Sequence, residues 1–544
     1  MSSRLRAGIS GGVGAVVAFG LAELIHGLYG LVPSVFVALV QAIIELTPGE
    51  FVTRGIELLG QADIPVLVAG TIVCALIFAV FLANVSLRRP LVALAAVGVL
   101  AVVAIAAAFS EPFVAPVATV LTIVGALAAG IAVTESLLRA AGLRPQRTGY
   151  TEDPRSPVVR SREAYSESGV AVGRGSFLLL GGAAAVAGLT AAGAGRVLAG
   201  QGTQEAAAPR ALDLPRESTG ESSGGEETVT HETLPPPDPA ASLDVPGMPK
   251  LITPAASFYL IDTALSSPRI DVDAWKLSVK GAVPEPVDFS YKDLLGMSTR
   301  EADITLSCVS NEVGGGLISN GRWTGVLLSD VLAVAGMTRE NIDRASEQLV
   351  GRSVDGWTSG FKADLAFDGR EALVAFGLNG SELPLKHGYP VRLVVPGLYG
   401  YVSATKWLTE LELTDWDFDA YWIQRTWSKE GPIKTQSRID TVKGGENLAA
   451  GRVAVGGVAW APHRGISRVE VSTDGGDTWN EARLAKQLDA DTWRQYVYDW
   501  EAKPGEYTLQ VRATDGDGET QTTEEAPPHP SGATGYHTIE VTVA

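Results

Sequence analysis

Residues 304–326 read ITLSCVSNEVGGGLISNGRWTGV, and the reading of this stretch decides what the second half of the chain is. A short apolar run ends in Cys308. A polar turn follows (Ser310, Asn311, Glu312), then three consecutive glycines at 314–316. Cys308 is one of two cysteines in 544 residues, and the other, Cys74, lies in the apolar first third. A lone thiol beside a Gly-rich loop can be a nucleophile, a redox sensor, a metal ligand or a buried structural residue. The stretch alone leaves these open, so the rest of the chain must decide.

The length accommodates three or four domains by the loose prior of ~150 residues each. Charge is divided unevenly: residues 1–200 hold 13 Lys+Arg against 11 Asp+Glu, and the remainder holds 30 against 50. So acidic a second part argues against nucleic acid as a partner, because phosphate contacts need clustered Lys and Arg. Two distant cysteines form no disulfide framework.

Residues 1–140 read as a four-span membrane module, with apolar segments at Ile9–Leu28, Ile64–Val85, Leu91–Phe109 and Phe113–Leu138. Each can cross ~30 Å of hydrocarbon. Leu31–Leu59 is apolar but interrupted by Pro33, Glu45 and Pro48, and reads as a re-entrant or interfacial hairpin rather than a span. Arg4 and Arg6, Arg88 and Arg89, and Arg139, Arg144 and Arg147 all fall on one side of a four-span arrangement. The positive-inside rule makes that side cytoplasmic. Residues 141–174 are then a cytoplasmic loop. Residues 175–200 form either a fifth transmembrane helix or a twin-arginine-like signal anchor, introduced by Arg174-Gly175-Ser176-Phe177-Leu178. Either way the chain beyond about residue 200 is expected outside the cytoplasm of a multi-pass cell-membrane protein. His26 is the only histidine of the module, which argues against a bis-His haem. An anchor, a docking surface and a quinone-side module stay open as its role.

Residues 201–249 are rich in Gly, Ser, Glu and Pro and read as a disordered acidic linker. Residues 250–425 alternate strand-like runs (KLSVKGAV, VRLVVPG, KWLTELELT) with helical ones (SYKDLLG, LLSDVLAVAG), the texture of an α+β domain. Residues 426–544 carry five alternating segments broken by turns such as Asp474-Gly475-Gly476, which predicts an immunoglobulin-like β-sandwich. Trp479, Trp493 and Trp500 are expected as core or interface aromatics.

Several blocks from residue 250 onward now appear in a telling order: TLSCVSNEVGG (305–315), NGRWTGVLLSDVL (320–332), LNGSELPLKHGYPVRLVVPG (378–397), KWLTELEL (406–413) and GVAWAPHRGISRVEVSTDGGDTW (457–479). Together they resemble the sulfite oxidase family of molybdopterin-dependent oxidoreductases, as an α+β cofactor domain followed by a dimerisation domain. The first 200 residues resemble the membrane module fused to some members. The resemblance implies a molybdenum–molybdopterin cofactor with Cys308 as the protein thiolate on the metal. Soft sulfur suits such a metal. It implies Asn311, Arg322, His387, Arg392 and Lys406 as cofactor-binding residues. Arg392 would fork onto the pterin phosphate and Lys406 would add a point charge. Tyr421 is placed near the metal as a hydrogen-bond donor or proton-transfer group, or else at a domain interface.

The sequence departs from the family where sulfite would bind. An arginine is expected shortly after the ligand cysteine, but Glu312 stands there, and Asp262 adds a second carboxylate. The primary expectation is therefore a membrane-anchored oxidoreductase transferring an oxygen atom to or from a small molecule. Reduction of S- or N-oxides such as methionine sulfoxide at the same centre is the second reading, and a cofactor-binding scaffold without turnover the third. Neither a Cys-x-x-Cys-His motif nor an Fe–S cysteine run occurs in the sequence. The expected electron partner is therefore an external carrier: a cytochrome, a copper protein or a quinone-linked membrane protein. A homodimer is implied by the resemblance alone.

Overall fold

The computed structural model describes residues 1–59, 62–111, 114–144, 173–206, 211–212, 214 and 229–544. It divides into two compact units, Met1–Ala206 and Ala207–Ala544. The predicted cytoplasmic loop lies outside the described residues from 145 to 172.

The first unit is all helix: α1 Ser3–Leu28, α2 Val35–Leu46, α3 Gly49–Leu59, α4 Asp63–Ser86, α5 Pro90–Ser110, α6 Pro116–Ala140 and α7 Arg174–Ala206. Five of these are long and apolar enough to cross a membrane. The segment expected as a hairpin forms α2 and α3. At 12 and 11 residues they reach only about 18 Å at 1.5 Å per residue, too short to span. α1 is the hub, and small residues let its neighbours approach. Gly14 faces Gly130 and Thr134 of α6, while Gly20 and Gly27 meet Gly188 and Gly195 of α7. A Cβ at Gly20 would come within 2.0 Å of the Gly188 carbonyl oxygen, the close backbone packing that small residues permit between apolar helices. α7 extends beyond the predicted 175–200. Two polar groups on α1 are satisfied locally. The Glu23 carboxylate accepts from Ser34 Oγ at 2.6 Å, and His26 Nδ1 donates to the Val32 carbonyl at 2.7 Å.

The second unit holds four sheets. The first runs His231–Glu232, Thr299–Ser307, Ile318–Leu327, Leu373–Leu378, Arg392–Val394, with Ser381–Glu382 beside Leu373–Leu378. The second runs Val287–Ser290, Lys276–Gly281, Leu408–Thr414, Gln348–Ser353, Thr358–Lys362. Short helices at Tyr291–Leu295 and Leu328–Val334 complete an α+β body. Ser290 begins the first of these with a capping box to Asp293.

The remaining sheets form the C-terminal domain. One contains Gln436–Ile439, Gly451–Trp460, Arg494–Ala502 and Arg483–Leu484; the other contains Asn447–Leu448, His537–Val543, Gly505–Asp515, Ile466–Ser472 and Asn480–Glu481. Their inner residues, among them Val455, Tyr496 and Trp500 from one and Val469, Leu509 and Val541 from the other, make one core. Trp493 instead joins the two domains. Its Nε1 donates to the Leu251 carbonyl at 2.9 Å and its backbone N–H to Thr305 Oγ1 at 2.8 Å.

One boundary moves. The predicted linker ends early, because residues 229–249 lie on the body. His231–Glu232 adds a parallel strand to Thr299–Arg300, and Lys486 pairs with Asp238 at 2.7 Å. Too polar to make a core of its own, the segment is ordered by satisfying its backbone groups on an existing sheet edge.

Candidate active site

Cys308 follows directly on the strand Thr299–Ser307, whose last six residues are all buried. The return strand begins at Ile318, so Cys308–Leu317 is a hairpin loop. Cys308 N–H donates to the Leu317 carbonyl at 2.9 Å, and Asn311 N–H to the Cys308 carbonyl at 3.1 Å. Asn311 Oδ1 accepts from Leu317 N–H at 2.7 Å. Asn311 thus closes the loop that presents the thiol and does not itself line the cavity. Burial pushes the Cys308 thiol up, opposed by hydrogen bonds from the Ser310 backbone and hydroxyl.

The cavity that Cys308 faces also receives Tyr259, Asp262, Asp355, His387, Arg392, Lys406 and the indoles of Trp357, Trp407, Trp422 and Trp427. His387 ends a single turn, Leu385–His387, stopped by Gly388 at φ +111°. A Cβ there would sit 3.0 Å from Arg392 Cβ and 3.1 Å from Lys406 Cβ. Glycine is therefore required both for the left-handed turn and for the convergence of these three residues.

Electrostatics sets the character of the cavity. Arg392 is 4% exposed, and its guanidinium lies 5.0 Å from the Trp323 ring centre. Its nitrogens donate only to the carbonyls of Leu393, His387 and Ala404, at 3.3, 3.1 and 3.4 Å. Among the described residues no carboxylate forms an ion pair with it, and burial lowers its pKa to about 10. Lys406 Nζ donates to Asp262 Oδ1 at 2.5 Å. Its pKa is lowered to about 8 by burial, against the pull of Asp262. Burial raises the Asp262 carboxyl. His387 is held neutral, its pKa lowered to about 4 by burial and then by Arg392 and Lys406, while Nε2 donates to the Ala255 carbonyl at 3.0 Å. Burial, and the neighbouring Cys308 and Asp262, push the Tyr259 phenol well above its usual range, so it stays protonated.

Three expectations meet a different geometry. Arg322 does not line the cavity. It stands directly across from Asp303 in the strand register and closes a two-pronged ion pair at 2.9 and 2.8 Å. Its remaining nitrogen donates to the carbonyls of Leu234 and Pro235. Strand alternation is the reason: Trp323 points to the Arg392 side and Arg322 to the other. Tyr421 is likewise absent from the lining. Its ring lies 3.7 Å under the Arg425 guanidinium and its carbonyl accepts from Arg425, while its neighbour Trp422 turns inward. Glu312 is exposed on the hairpin loop and does not reach the cavity, whereas Asp262 does. Sequence reasoning passed over Tyr259, Asp355, Trp422 and Trp427. The aromatic run in DFDAYWIQRTW was the available signal for the last two.

A phosphate-bearing pterin fits this donor set. Among the described residues, the buried guanidinium of Arg392 meets no anion, and Ser353 Oγ and Trp427 Nε1, both on cavity-lining residues, are buried without hydrogen-bond partners. Arg392, Lys406 and His387 would hold the phosphate and ring edges, and Cys308 offers a soft donor for the metal.

Comparison with known proteins agrees. Residues 264–422 match an oxidoreductase molybdopterin binding domain, and residues 430–526 a Mo-co oxidoreductase dimerisation domain. Mitochondrial sulfite oxidase of Rattus norvegicus is 33% identical over 270 residues, which cover 43% of this chain and 49% of the relative. The Homo sapiens enzyme is 32% identical over 271 residues, with the same shares. An NADH nitrate reductase of Brassica napus is 26% identical over 298 residues, covering 44% of this chain and 32% of the relative. Among solved structures, the sulfane dehydrogenase SoxCD of Paracoccus pantotrophus aligns at 23% identity and a TM-score of 0.48, covering 62% of this chain and 89% of that one. The chain spans about half the length of the sulfite oxidases it matches. The two domain matches, in order along the body that carries the Cys308 cavity, identify residues 264–526 as the molybdopterin-binding and dimerisation domains of a molybdenum–molybdopterin oxidoreductase, similar to those of the sulfite oxidases.

Proposed function

We propose that this protein is a membrane-anchored oxidoreductase whose catalytic body lies outside the cytoplasmic membrane and exchanges an oxygen atom with a small substrate. The observation that carries the reading is the convergence of Cys308 with an anion-seeking Arg392 in one buried cavity. A molybdenum–molybdopterin cofactor held there would supply two-electron redox chemistry and oxygen-atom exchange. The chain's own residues do the rest. Arg392 and Lys406 would hold the phosphate, Cys308 would ligate the metal, and the protonated Tyr259 would offer a hydrogen bond where substrate enters. Trp357, Trp422 and Trp427 exclude water from that space. Electrons leave through an external carrier, and the two-sheet terminal domain is read as immunoglobulin-like and as the contact of a homodimer.

Purified protein from a cofactor-competent host should contain about one molybdenum per chain, and Cys308→Ser should abolish turnover while leaving the thermal melt in place. Metal-free wild-type protein from such a host, or an active Cys308→Ser, would sink the proposal. One observation favours reduction of a neutral S- or N-oxide over oxidation of sulfite. Once Arg392 and Lys406 engage phosphate, the remaining polar lining offers a dianion no cation: His387 is neutral, and Asp262 and Asp355 are acids. Assaying sulfite against methionine sulfoxide on the same preparation separates the two.

A further inference from the structure

The membrane module contains a second cavity, unrelated to the cofactor. It is a cleft of about 460 Å³ between α1, α4, α5 and α6, within the ~300–1,000 Å³ of ligand sites. Its walls are apolar along most of their length, formed by residues such as Ala75, Phe78, Leu82, Val97, Leu100 and Ile123. One end is polar, where Ser86, Thr134, Glu135 and Arg144 line it.

That end is built and incompletely satisfied. Arg144 Nη2 donates to the Ser86 carbonyl at 2.9 Å and to Glu135 Oε1 at 3.2 Å. Arg144 Nε is buried and has no partner among the described residues. The same end of the bundle gathers positive charge. Arg6 joins α1 to the end of α6 through the Ala141 carbonyl at 2.7 Å. Arg88 and Arg89 lie exposed between α4 and α5, and Arg139 is exposed on the last turn of α6. Glu135 is the one carboxylate among the residues lining the cleft.

Depth discriminates among occupants. From Ser86 to Ala75 along α4, or from Pro90 to Ala104 along α5, the cleft descends roughly 16–21 Å at 1.5 Å per residue. That is about the depth of one leaflet of a ~30 Å hydrocarbon core. A lipid whose phosphate rests at the basic end would therefore lay one chain along the apolar wall. We propose that this cleft holds an acyl chain of an anionic phospholipid from the leaflet at the basic end, with the lipid phosphate accepting the Arg144 Nε hydrogen bond. Basic pockets between transmembrane helices select anionic headgroups by this chemistry.

The test uses full-length protein delipidated in detergent and titrated with phosphatidylglycerol or phosphatidylcholine of identical acyl chains, read by native mass spectrometry. Wild type should retain one phosphatidylglycerol with at least about tenfold preference, the size of one charge-assisted contact. Arg144→Gln should cut the preference below about threefold, and Val97→Trp, which fills the cleft, should remove both lipids. An Arg88→Gln/Arg89→Gln double variant should keep the preference, separating the cleft from general surface charge. Equal binding of the two lipids by wild type would overturn the proposal. So would an unchanged preference in Arg144→Gln, or its loss in the Arg88/Arg89 variant. Displacement of phosphatidylglycerol by decylubiquinone at lower concentration would reassign the cleft to a quinone. If Arg144→Gln fails to fold, the wild-type preference and Val97→Trp decide.

Discussion

Replacing Arg392 with glutamine should separate cofactor retention from stability, because cofactor binding depends on its charge far more than the fold does. In the cofactor-free body the Arg392 charge is unfavourable. Its pKa falls from 12.5 to about 10 on burial, which at 1.36 kcal/mol per unit corresponds to about 3 kcal/mol against the charged form. Opposing this are three long hydrogen bonds to carbonyls, worth ~0.5–1.5 kcal/mol each, and a contact with Trp323 worth up to ~2 kcal/mol. Glutamine keeps one amide donor and removes the charge, so the net change should be about 1–2 kcal/mol in either direction, a shift of a few degrees in Tm. With cofactor present the balance is one-sided. Losing two charge-assisted bonds to phosphate, at ~1.5–3 kcal/mol each, should weaken binding by roughly a hundredfold or more. The assay pairs molybdenum and pterin content of purified protein with the melt of cofactor-free protein. Full cofactor content in Arg392→Gln would refute the phosphate assignment. A cofactor-free melt lowered by more than about 10 °C would show that Arg392 is a structural residue instead.

Other outcomes follow from the same geometry. Arg322→Ala strands Asp303, whose side chain is 3% exposed, and should cost about 3–5 kcal/mol while leaving cofactor content per folded chain unchanged; a selective loss of cofactor would return Arg322 to the binding set. Gly20→Leu drives a side chain into the Gly188 backbone and should destabilise the module by about 3 kcal/mol, seen as a lowered melting temperature of the detergent-solubilised protein. His387 and His537 both have pKa values lowered to about 4, in each case first by burial. Between pH 6.5 and 4 the unfolded chain therefore binds protons that the folded body does not, so stability falls as pH drops through that window, by at most about 3 kcal/mol per histidine. Chemical denaturation of cofactor-free protein at pH 7 and pH 4.5 checks the sign, and equal midpoints would show that neither histidine is buried neutral.

How far the sequence could be read depended on whether a residue's role is local or set by pairing. Cys308, His387, Arg392 and Lys406 came from the resemblance, each inside one of the ordered blocks that carry it. All four meet in one cavity. Arg322 was misjudged because its direction depends on a register fixed across the hairpin loop, where it faces Asp303. Adjacent residues on a strand point opposite ways, and a motif does not say which one faces the site. The helices of the first unit were visible in length and hydropathy, but the Gly20–Gly188 and Gly27–Gly195 approaches join helices some 150 residues apart and leave no local trace. Residues 229–249 looked disordered by composition, which tracks core-forming capacity and cannot register backbone groups satisfied elsewhere. Arg322 holds the Leu234 and Pro235 carbonyls in place.

The same distinction bears on what the terminal domain does for the cavity. Cys308 is supplied by the α+β domain, yet the glycine loop behind it is held from the other domain. Arg438 Nη1 donates to the Gly315 carbonyl at 2.6 Å, and Arg438 is itself fixed by Asp440 at 2.7 Å. Gly314, at φ +75°, lies so close to the imidazole of His537 that an added Cβ would meet it at 2.3 Å. That imidazole is in turn oriented by the Ile439 N–H, donated to Nδ1 at 3.0 Å. A loop of three glycines has little stiffness of its own, so the position of Cys308 in the cavity depends on contacts that exist only when both domains are folded. Gly314 therefore serves close approach to the terminal domain, while a side chain at Gly315 would meet Asn311 and Glu312 of its own loop. The terminal sheets thus help to set where Cys308 stands in the cavity.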